Sequence, residues 1–184
     1  MEHAVSSPGT RSCCTAGFNL SDGLQATSAF DCTAHNNSGN GISILPGLCS
    51  GCTAVDNTIV GMLVLGRADG CYARRNQDGI SLSSYSSVAN SSADLSTRVQ
   101  NCQGSRGATG VHVLGTPTDD IVIEGNFLFQ NTIGIQIEAG SALVVRNQLS
   151  NTTNISAIAG NVIGPTVDAS NIATTNSPHA NYVF

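Results

Sequence analysis

The sequence contains no lysine, and only 10% of its 184 residues are charged. Its formal net charge is −5, and its arginines are scattered along the chain. There is therefore no basic stripe of the kind that binds a phosphate backbone, and we expect no nucleic acid as partner. No run of about 18 apolar residues occurs either, so we predict no membrane-spanning helix.

A secretory signal is also missing, because Met1–Val5 shows no basic region followed by an apolar core. Two interpretations follow. Either the protein stays in the cytoplasm, or the chain is a fragment of a longer exported protein. The sequence leaves the compartment open between them.

A six-residue phrase, Cys-(Thr/Tyr)-Ala-x-x-Asn, occurs four times in the first half of the chain. The copies begin at Cys14, Cys32, Cys52 and Cys71, and three further copies without the cysteine begin at Thr97, Ile121 and Leu143. After most copies a glycine opens an apolar alternation, as in Gly41-Ile42-Ser43-Ile44. The starting positions are 18 to 26 residues apart, which is too short for paired-helix repeats and is typical of stacked β-strand coils.

Each coil carries two short runs in which every second residue is apolar, the pattern of strands with one face inward. Stacked coils would pair each strand in parallel and in register with its counterpart one coil away. We therefore predict an all-β fold, a single-stranded parallel β-helix (solenoid) of about seven coils. Residues 1–13 would be a short N-terminal segment, 14–160 the coils and 161–184 a C-terminal capping tail.

Cysteines can form a disulfide or bind a metal, but the repeat favours a structural role for these residues. Cys14, Cys32, Cys52 and Cys71 share one repeat position, so they should form a column of buried thiols that pack as small hydrophobic groups. The pair Cys49 and Cys52 has CxxC spacing, but no second pair with zinc spacing accompanies it. We expect no metal and no cofactor, with a disulfide or a metal as the alternatives.

Asparagine forms a second repeated column. It lies five residues after the start of a coil at Asn19, Asn37, Asn57, Asn76 and Asn126, while Cys102 and Gln148 occupy the other two places. Stacked amide side chains can hydrogen-bond from one coil to the next and so stabilise an in-register stack. The asparagines therefore predict a structural ladder rather than a catalytic group.

Together these features resemble the right-handed parallel β-helix superfamily, which includes pectate-lyase-like and NosD-like repeat proteins. The tail from Asn161 to Phe184 resembles the closing segment of uncharacterised bacterial members. The resemblance implies right-handed winding. It also implies that a polysaccharide would lie across one parallel sheet, with acids, arginines or lysines of adjacent coils carrying any chemistry.

The outward positions of the predicted second strand form a column with little charge. The column consists of Gln25, Ser43, Leu63, Ser81, His112, Gln136 and Ser156. It lacks the carboxyl pair that glycoside hydrolysis needs, and no acidic cluster suited to Ca²⁺ is evident. His112, with Asp78 and Glu138 on neighbouring coils, is the best acid/base set that the sequence offers.

Two insertions, at residues 83–92 and 102–109, are predicted to form loops that border this face. Tyr85, Arg106 and His112 would then flank a shallow groove suited to a sugar. Tolerated surface loops are the alternative interpretation. We expect a non-catalytic module that binds polysaccharide or assembles with other chains; the alternative is a carbohydrate-active lyase, hydrolase or epimerase that acts on the outer face.

The N-terminal end of the stack should be covered by another molecule or by further chain. A parallel stack ends in unpaired backbone groups and exposed core, and residues 1–13 are too few to cover its cross-section. We therefore predict a homo-oligomer through this end, most simply a twofold dimer in which the same surface meets itself.

Overall fold

The structure is a computed structural model, and it describes residues 5–6, 9–83, 97–100, 103–105, 108–114, 121–138, 140–168, 170–171 and 176–184. Within these ranges all regular secondary structure is β-strand. No helix long and apolar enough to cross a bilayer occurs there. The all-β prediction is confirmed.

The strands are short and follow one another along the whole chain. They are β1 (Val5–Ser6), β2 (Thr10–Ser12), β3 (Thr15–Gly17), β4 (Leu24–Ala26), β5 (Ser28–Phe30), β6 (Thr33–His35), β7 (Ile42–Ser50), β8 (Thr53–Val55), β9 (Val60–Asp69), β10 (Tyr72–Arg74), β11 (Asp78–Ser83), β12 (Thr97–Gln100), β13 (Gln103–Ser105), β14 (Thr109–Leu114), β15 (Ile121–Glu124), β16 (Phe127–Phe129), β17 (Ile133–Ile137), β18 (Ala142–Val145), β19 (Gln148–Ser150), β20 (Thr153–Ala157), β21 (Val162–Ile163), β22 (Thr166–Val167) and β23 (Asn181–Val183).

Parallel pairing between successive coils stacks the strands into a β-solenoid with three faces. The first face contains β1, β4, β11, β14, β17, β20 and the first parts of β7 and β9. The second face contains β2, β5, β12, β15, β18, β21 and the last parts of β7 and β9. The third face contains β3, β6, β8, β10, β13, β16, β19, β23 and β22.

The prediction of two strands per coil is wrong, because each full coil supplies three. In the two coils that contain β7 and β9 the second-face strand is the far end of the same strand, so it does not stand apart as a run of its own. The repeat alignment of the second half is wrong for the same reason. Ile121–Glu124 pairs with Thr97–Gln100 on the second face, whereas Phe127–Phe129 continues the third-face column of Thr53–Val55.

The core lies between the three faces and is built from small and aliphatic side chains. On the first face Ile42, Met62, Ile80, Val111 and Ile135 are opposite one another in register and fully buried. This agrees with the predicted column of inward apolar residues. Burial of such a column is the main source of stability of a solenoid, because each coil covers the apolar surface of the next.

Asparagine side chains form ladders at two different corners of the coil. At the corner after the third face, the Nδ2 of Asn37 donates to Asn57 Oδ1 at 2.8 Å, and Asn57 Nδ2 donates to Asn76 Oδ1 at 3.0 Å. Asn131 and Asn151 form the same contact at 2.9 Å in later coils. The predicted ladder is confirmed for the first half of the chain.

The second ladder lies at the corner before the third face, where the first half of the chain has cysteines. There Asn126 Nδ2 donates to Asn147 Oδ1 at 2.9 Å, and Asn147 Nδ2 to Asn181 Oδ1 at 3.0 Å. Assigning Asn126 to the first column was therefore wrong, and so was placing Gln148 in it. Gln148 is exposed on the third face, and its buried neighbour Asn147 belongs to the ladder.

The cysteine column is confirmed as a set of thiols within the core. Cys32, Cys52 and Cys71 are buried and Cys14 is half-buried, and all four are free thiols. Burial raises the pKa of the Cys32 thiol. Cys49 is buried beside them, with its Sγ 3.8 Å from Cys71 Sγ. No group of three or more metal-ligating side chains occurs in the part of the chain that the structure describes, and Cys102 lies outside that part.

Both termini add strands to the stack. Val5–Ser6 pairs with β4 and Thr10–Ser12 pairs with β5, so part of the predicted N-terminal segment already belongs to the solenoid. At the other end Asn181–Val183 pairs with both β19 and β22. Self-association through the N-terminal end stays a prediction.

Candidate functional site

The outward column predicted on the first face exists, with each member directly opposite the next. Its order is Gln25, Ser43, Leu63, Ser81, His112, Gln136 and Ser156. Within this column the side chains differ in exposure. Ser43 and Ser81 are buried, whereas Leu63 and His112 are half-buried. The column is therefore a polar surface with recessed hydroxyl groups.

His112 lies between two carboxylates from the coils on either side of its own. Its Nδ1 is 2.9 Å from Asp78 Oδ2, and its Nε2 is 3.3 Å from Glu138 Oε1. Asp78 begins β11 in the preceding coil, and Glu138 directly follows β17 in the next one. Only 13% of the His112 side chain is exposed. The structure thus brings together the three residues that the sequence suggested as an acid/base set.

A hydrogen-bonded chain holds Glu138 in place. Gln136 Nε2 donates to Glu138 Oε1 at 2.8 Å, and Thr109 Oγ1 lies 3.4 Å from Gln136 Oε1. Sequence reasoning missed both contacts. Gln136 was visible as a member of the outward column, but the role of Thr109 depends on the register between β14 and β17.

The two carboxylates favour the charged form of the imidazole. The hydrogen bond between His112 and the Asp78 carboxylate is the largest cause that raises the pKa of His112, and Glu138 adds to it, while burial opposes them. A protonated imidazole donates from both nitrogens. The two carboxylates therefore stabilise His112 as a hydrogen-bond donor and ion-pair partner.

Two buried polar atoms near His112 lack a hydrogen-bond partner among the described residues. One is Ser81 Oγ, and the other is Nε2 of His112, whose approach to Glu138 is close but not aligned as a hydrogen bond. Ser81 and His112 are opposite each other on β11 and β14. Such unsatisfied groups cost about 1–3 kcal/mol each. Because both atoms are buried, the groups that a ligand can reach are the exposed edge of His112 and its neighbours Gln136 and Glu138.

The remaining predicted site residues, Tyr85 and Arg106, lie outside the described residues. The groove expected between the two inserted loops therefore stays a prediction. Of the predicted set, the described part of the chain contains His112, Asp78 and Glu138, and these are in contact.

The raised pKa of His112 predicts a pH dependence of stability. A histidine whose folded-state pKa lies above its usual 6.5 stabilises the fold fully below the unfolded pKa and loses this contribution as pH rises through the folded pKa. We expect the difference in unfolding free energy between wild type and His112→Gln to be largest near pH 6 and to shrink toward about pH 9. Urea denaturation across this range measures it. A difference that grows with pH would show that the folded protein holds His112 neutral.

Comparisons with known proteins point to the fold. No protein-family model matches the chain, and no curated protein does. Among solved structures it is similar to one titled "Crystal structure of pectate lyase Pel9A", with a TM-score of 0.60 and 14% sequence identity. The match covers 93% of this chain and 50% of that one, so the chain spans half the length of the lyase. At this identity the likeness shows that the two share the parallel β-helix fold.

Proposed function

We propose that the chain is a non-catalytic polysaccharide-binding β-helix module whose first face binds a neutral sugar around His112. The observation that carries the proposal is the polar surface around His112, where Gln136 is half-buried, Glu138 is exposed and 13% of the His112 side chain is accessible. Sugar hydroxyls both donate and accept, so a ring placed over the two strands can bond to these side chains.

The contacts of His112 argue against catalysis at this site. A general base must be within reach of the proton that it removes. Here both carboxylates lie against the imidazole and stabilise its charged form, and only 13% of the His112 side chain is exposed. Hydrolysis requires two free carboxyl groups on opposite sides of the glycosidic bond. This cluster does not supply such a pair.

The charges of the site favour a neutral glycan over a uronate polymer. Asp78 and Glu138 carry two negative charges against the single positive charge of a protonated His112. An anionic chain would meet net repulsion, because like charges in a partly buried site are weakly screened. Gln136 and Ser81 add neutral hydrogen-bonding groups to the same column.

Affinity electrophoresis in gels that contain a neutral polysaccharide or polygalacturonate tests the proposal. We expect neutral polysaccharide to retard the wild type, and His112→Ala to weaken binding by about tenfold or more, since a lost hydrogen bond to a charged group is worth that much. Gln77→Ala, an exposed residue in the coil of Asp78, is the matched control and should bind as the wild type does. Equal retardation of the wild type and His112→Ala would contradict the proposed site.

A further inference from the structure

One register position on the third face is occupied by aromatic residues and glutamines in alternation. In register, one coil after another, the column runs Tyr72, Gln103, Phe127, Gln148 and Tyr182. The residues that follow them in the strands, Ala73 and Leu128, are fully buried. The aromatic residues of the column therefore lie on the outer side of the sheet.

The rings of this column are accessible. Phe127 is 41% exposed and Tyr182 is 37% exposed, while Tyr72 is half-buried. Phe129 packs beside Phe127 with ring centroids 5.0 Å apart. Phe184 follows β23 and is 72% exposed. Alternate coils thus present apolar rings, and Gln148 is exposed on the coil between Phe127 and Tyr182.

This concentration contrasts with the rest of the molecule. The chain has three tyrosines, five phenylalanines and no tryptophan. Five of these eight aromatic residues lie on β10, β16 and β23 or directly after β23, whereas the core is made of aliphatic and small side chains. Exposed apolar rings that form a row, and that the core does not use, mark an interaction surface.

The spacing of the rings identifies a class of ligand. Neighbouring strands are about 4.8 Å apart, so rings on every second coil repeat at about 9.6 Å along the solenoid. An extended β-1,4-linked glycan turns over from one sugar to the next and presents the same face once per disaccharide, which is about as long as this repeat. Apolar sugar faces would stack on the rings, as ligand faces stack on aromatic side chains elsewhere, and the glutamine positions coincide with the intervening sugars.

The charge of the surface matches the same ligand. From β16 to β23 the outward positions are Phe127, Phe129, Gln148, Ser150 and Tyr182, none of which is charged, and the charged residue nearest to them in register is Arg74 on β10. Such a surface offers nothing to offset the desolvation of a uronate or of a charged peptide. It suits an uncharged polymer with hydroxyl groups.

We propose that this aromatic–glutamine ladder binds an extended, neutral β-1,4-linked polysaccharide that runs parallel to the solenoid axis. The ladder is a different surface from the site around His112, and neither depends on the other. A second copy of the chain packed on the exposed rings is the competing occupant, and the experiment separates it from the glycan.

Sedimentation with insoluble cellulose and chitin tests the ladder, with granular starch as the α-linked comparison. We expect the wild type to pellet with at least one of the β-linked polymers and not with starch. Phe127→Ala and Tyr182→Ala should each weaken binding about three- to tenfold, through loss of one stacking contact. Phe127→Trp should restore it. Phe18→Ala removes a ring that is exposed outside the ladder, so it is the matched control and should bind as the wild type does.

Failure of the ladder and failure of the site around His112 give different results, because the first removes the effect of Phe127→Ala on pelleting and the second removes the effect of His112→Ala on affinity electrophoresis. Sedimentation velocity of the same proteins completes the test. The proposal is overturned if the wild type binds neither β-linked polymer, or if Phe127→Ala binds like the wild type. A wild-type oligomer that Phe127→Ala dissociates, without glycan binding, would assign the ladder to contacts between copies of the chain.

Discussion

Asn147→Ala is expected to lower the free energy of unfolding by about 3 kcal/mol or more. Asn147 is fully buried, and its Oδ1 accepts from the backbone N and the Nδ2 of Asn126 at 3.0 and 2.9 Å. Its Nδ2 donates to Ile123 O at 3.0 Å. Alanine would remove these bonds and leave donors and acceptors without partners inside the stack, where each costs about 1–3 kcal/mol.

The matched control is the next residue. Gln148 is exposed on the third face, so Gln148→Ala should change the unfolding free energy by less than about 0.5 kcal/mol. Urea denaturation followed by far-ultraviolet circular dichroism compares the two variants. If both variants were equally destabilised, or if only Gln148→Ala were, the ladder would not pass through Asn147.

Gly61→Ala is expected to destabilise the fold by about 2–3 kcal/mol, because there is no room for a methyl group. A Cβ at Gly61 would lie 2.6 Å from Gly79 O and 2.6 Å from Asn76 Nδ2. Neither neighbour can retreat easily, since one is backbone of the next coil and the other donates to Ala54 O within the ladder. The same close approach between coils recurs at Gly23, Gly41 and Gly134.

Gly140→Ala serves as the control for this substitution. Among the described residues a Cβ there meets only Ala159 O within 4 Å, at 3.8 Å, which is ordinary van der Waals contact. Alanine should therefore be neutral or slightly stabilising, since it restricts the unfolded chain. Equal thermal midpoints for Gly61→Ala and the wild type would contradict the stacking of coils on this glycine column.

The architecture was predictable because each coil corresponds to a short sequence repeat that is easy to recognise. Phrases such as Cys52-Thr53-Ala54 and the Gly-apolar runs that follow them mark two of the three strands in a coil. The third strand was missed, since in β7 and β9 it continues from the first-face strand without a break in the pattern. Once it is missed, strands of the second and third faces are confused in the longer coils.

Confusing the second and third faces also explains why Asn126 and Gln148 were assigned to the wrong asparagine column. Asn126 and Asn76 each hydrogen-bond to an asparagine one coil away, Asn126 to Asn147 and Asn76 to Asn57. They nevertheless lie at opposite ends of a third-face strand. Only the register of Phe127–Phe129 with Gln148–Ser150 separates the two ladders. Sequence spacing measured from Ile121 could not do so.

The candidate site shows how far sequence reasoning reached. The repeat alignment of the first-face strands was correct, so it placed Asp78, His112 and Glu138 on successive coils. Their contacts follow from that placement. The aromatic–glutamine ladder could not be found in the same way. Tyr72 and Phe127 were assigned to different positions of the repeat, and their alignment appears only when β10, β13 and β16 are paired.

We propose that the chain binds neutral polysaccharide without cleaving it. Incubating the wild type with neutral polysaccharides and with polygalacturonate, and measuring bound protein together with new reducing ends and unsaturated products in the same samples, tests this most directly. We predict retention by a neutral polysaccharide and no more product than with His112→Ala. Product that the wild type forms and His112→Ala does not would contradict the claim, as would a failure to bind any of the polymers.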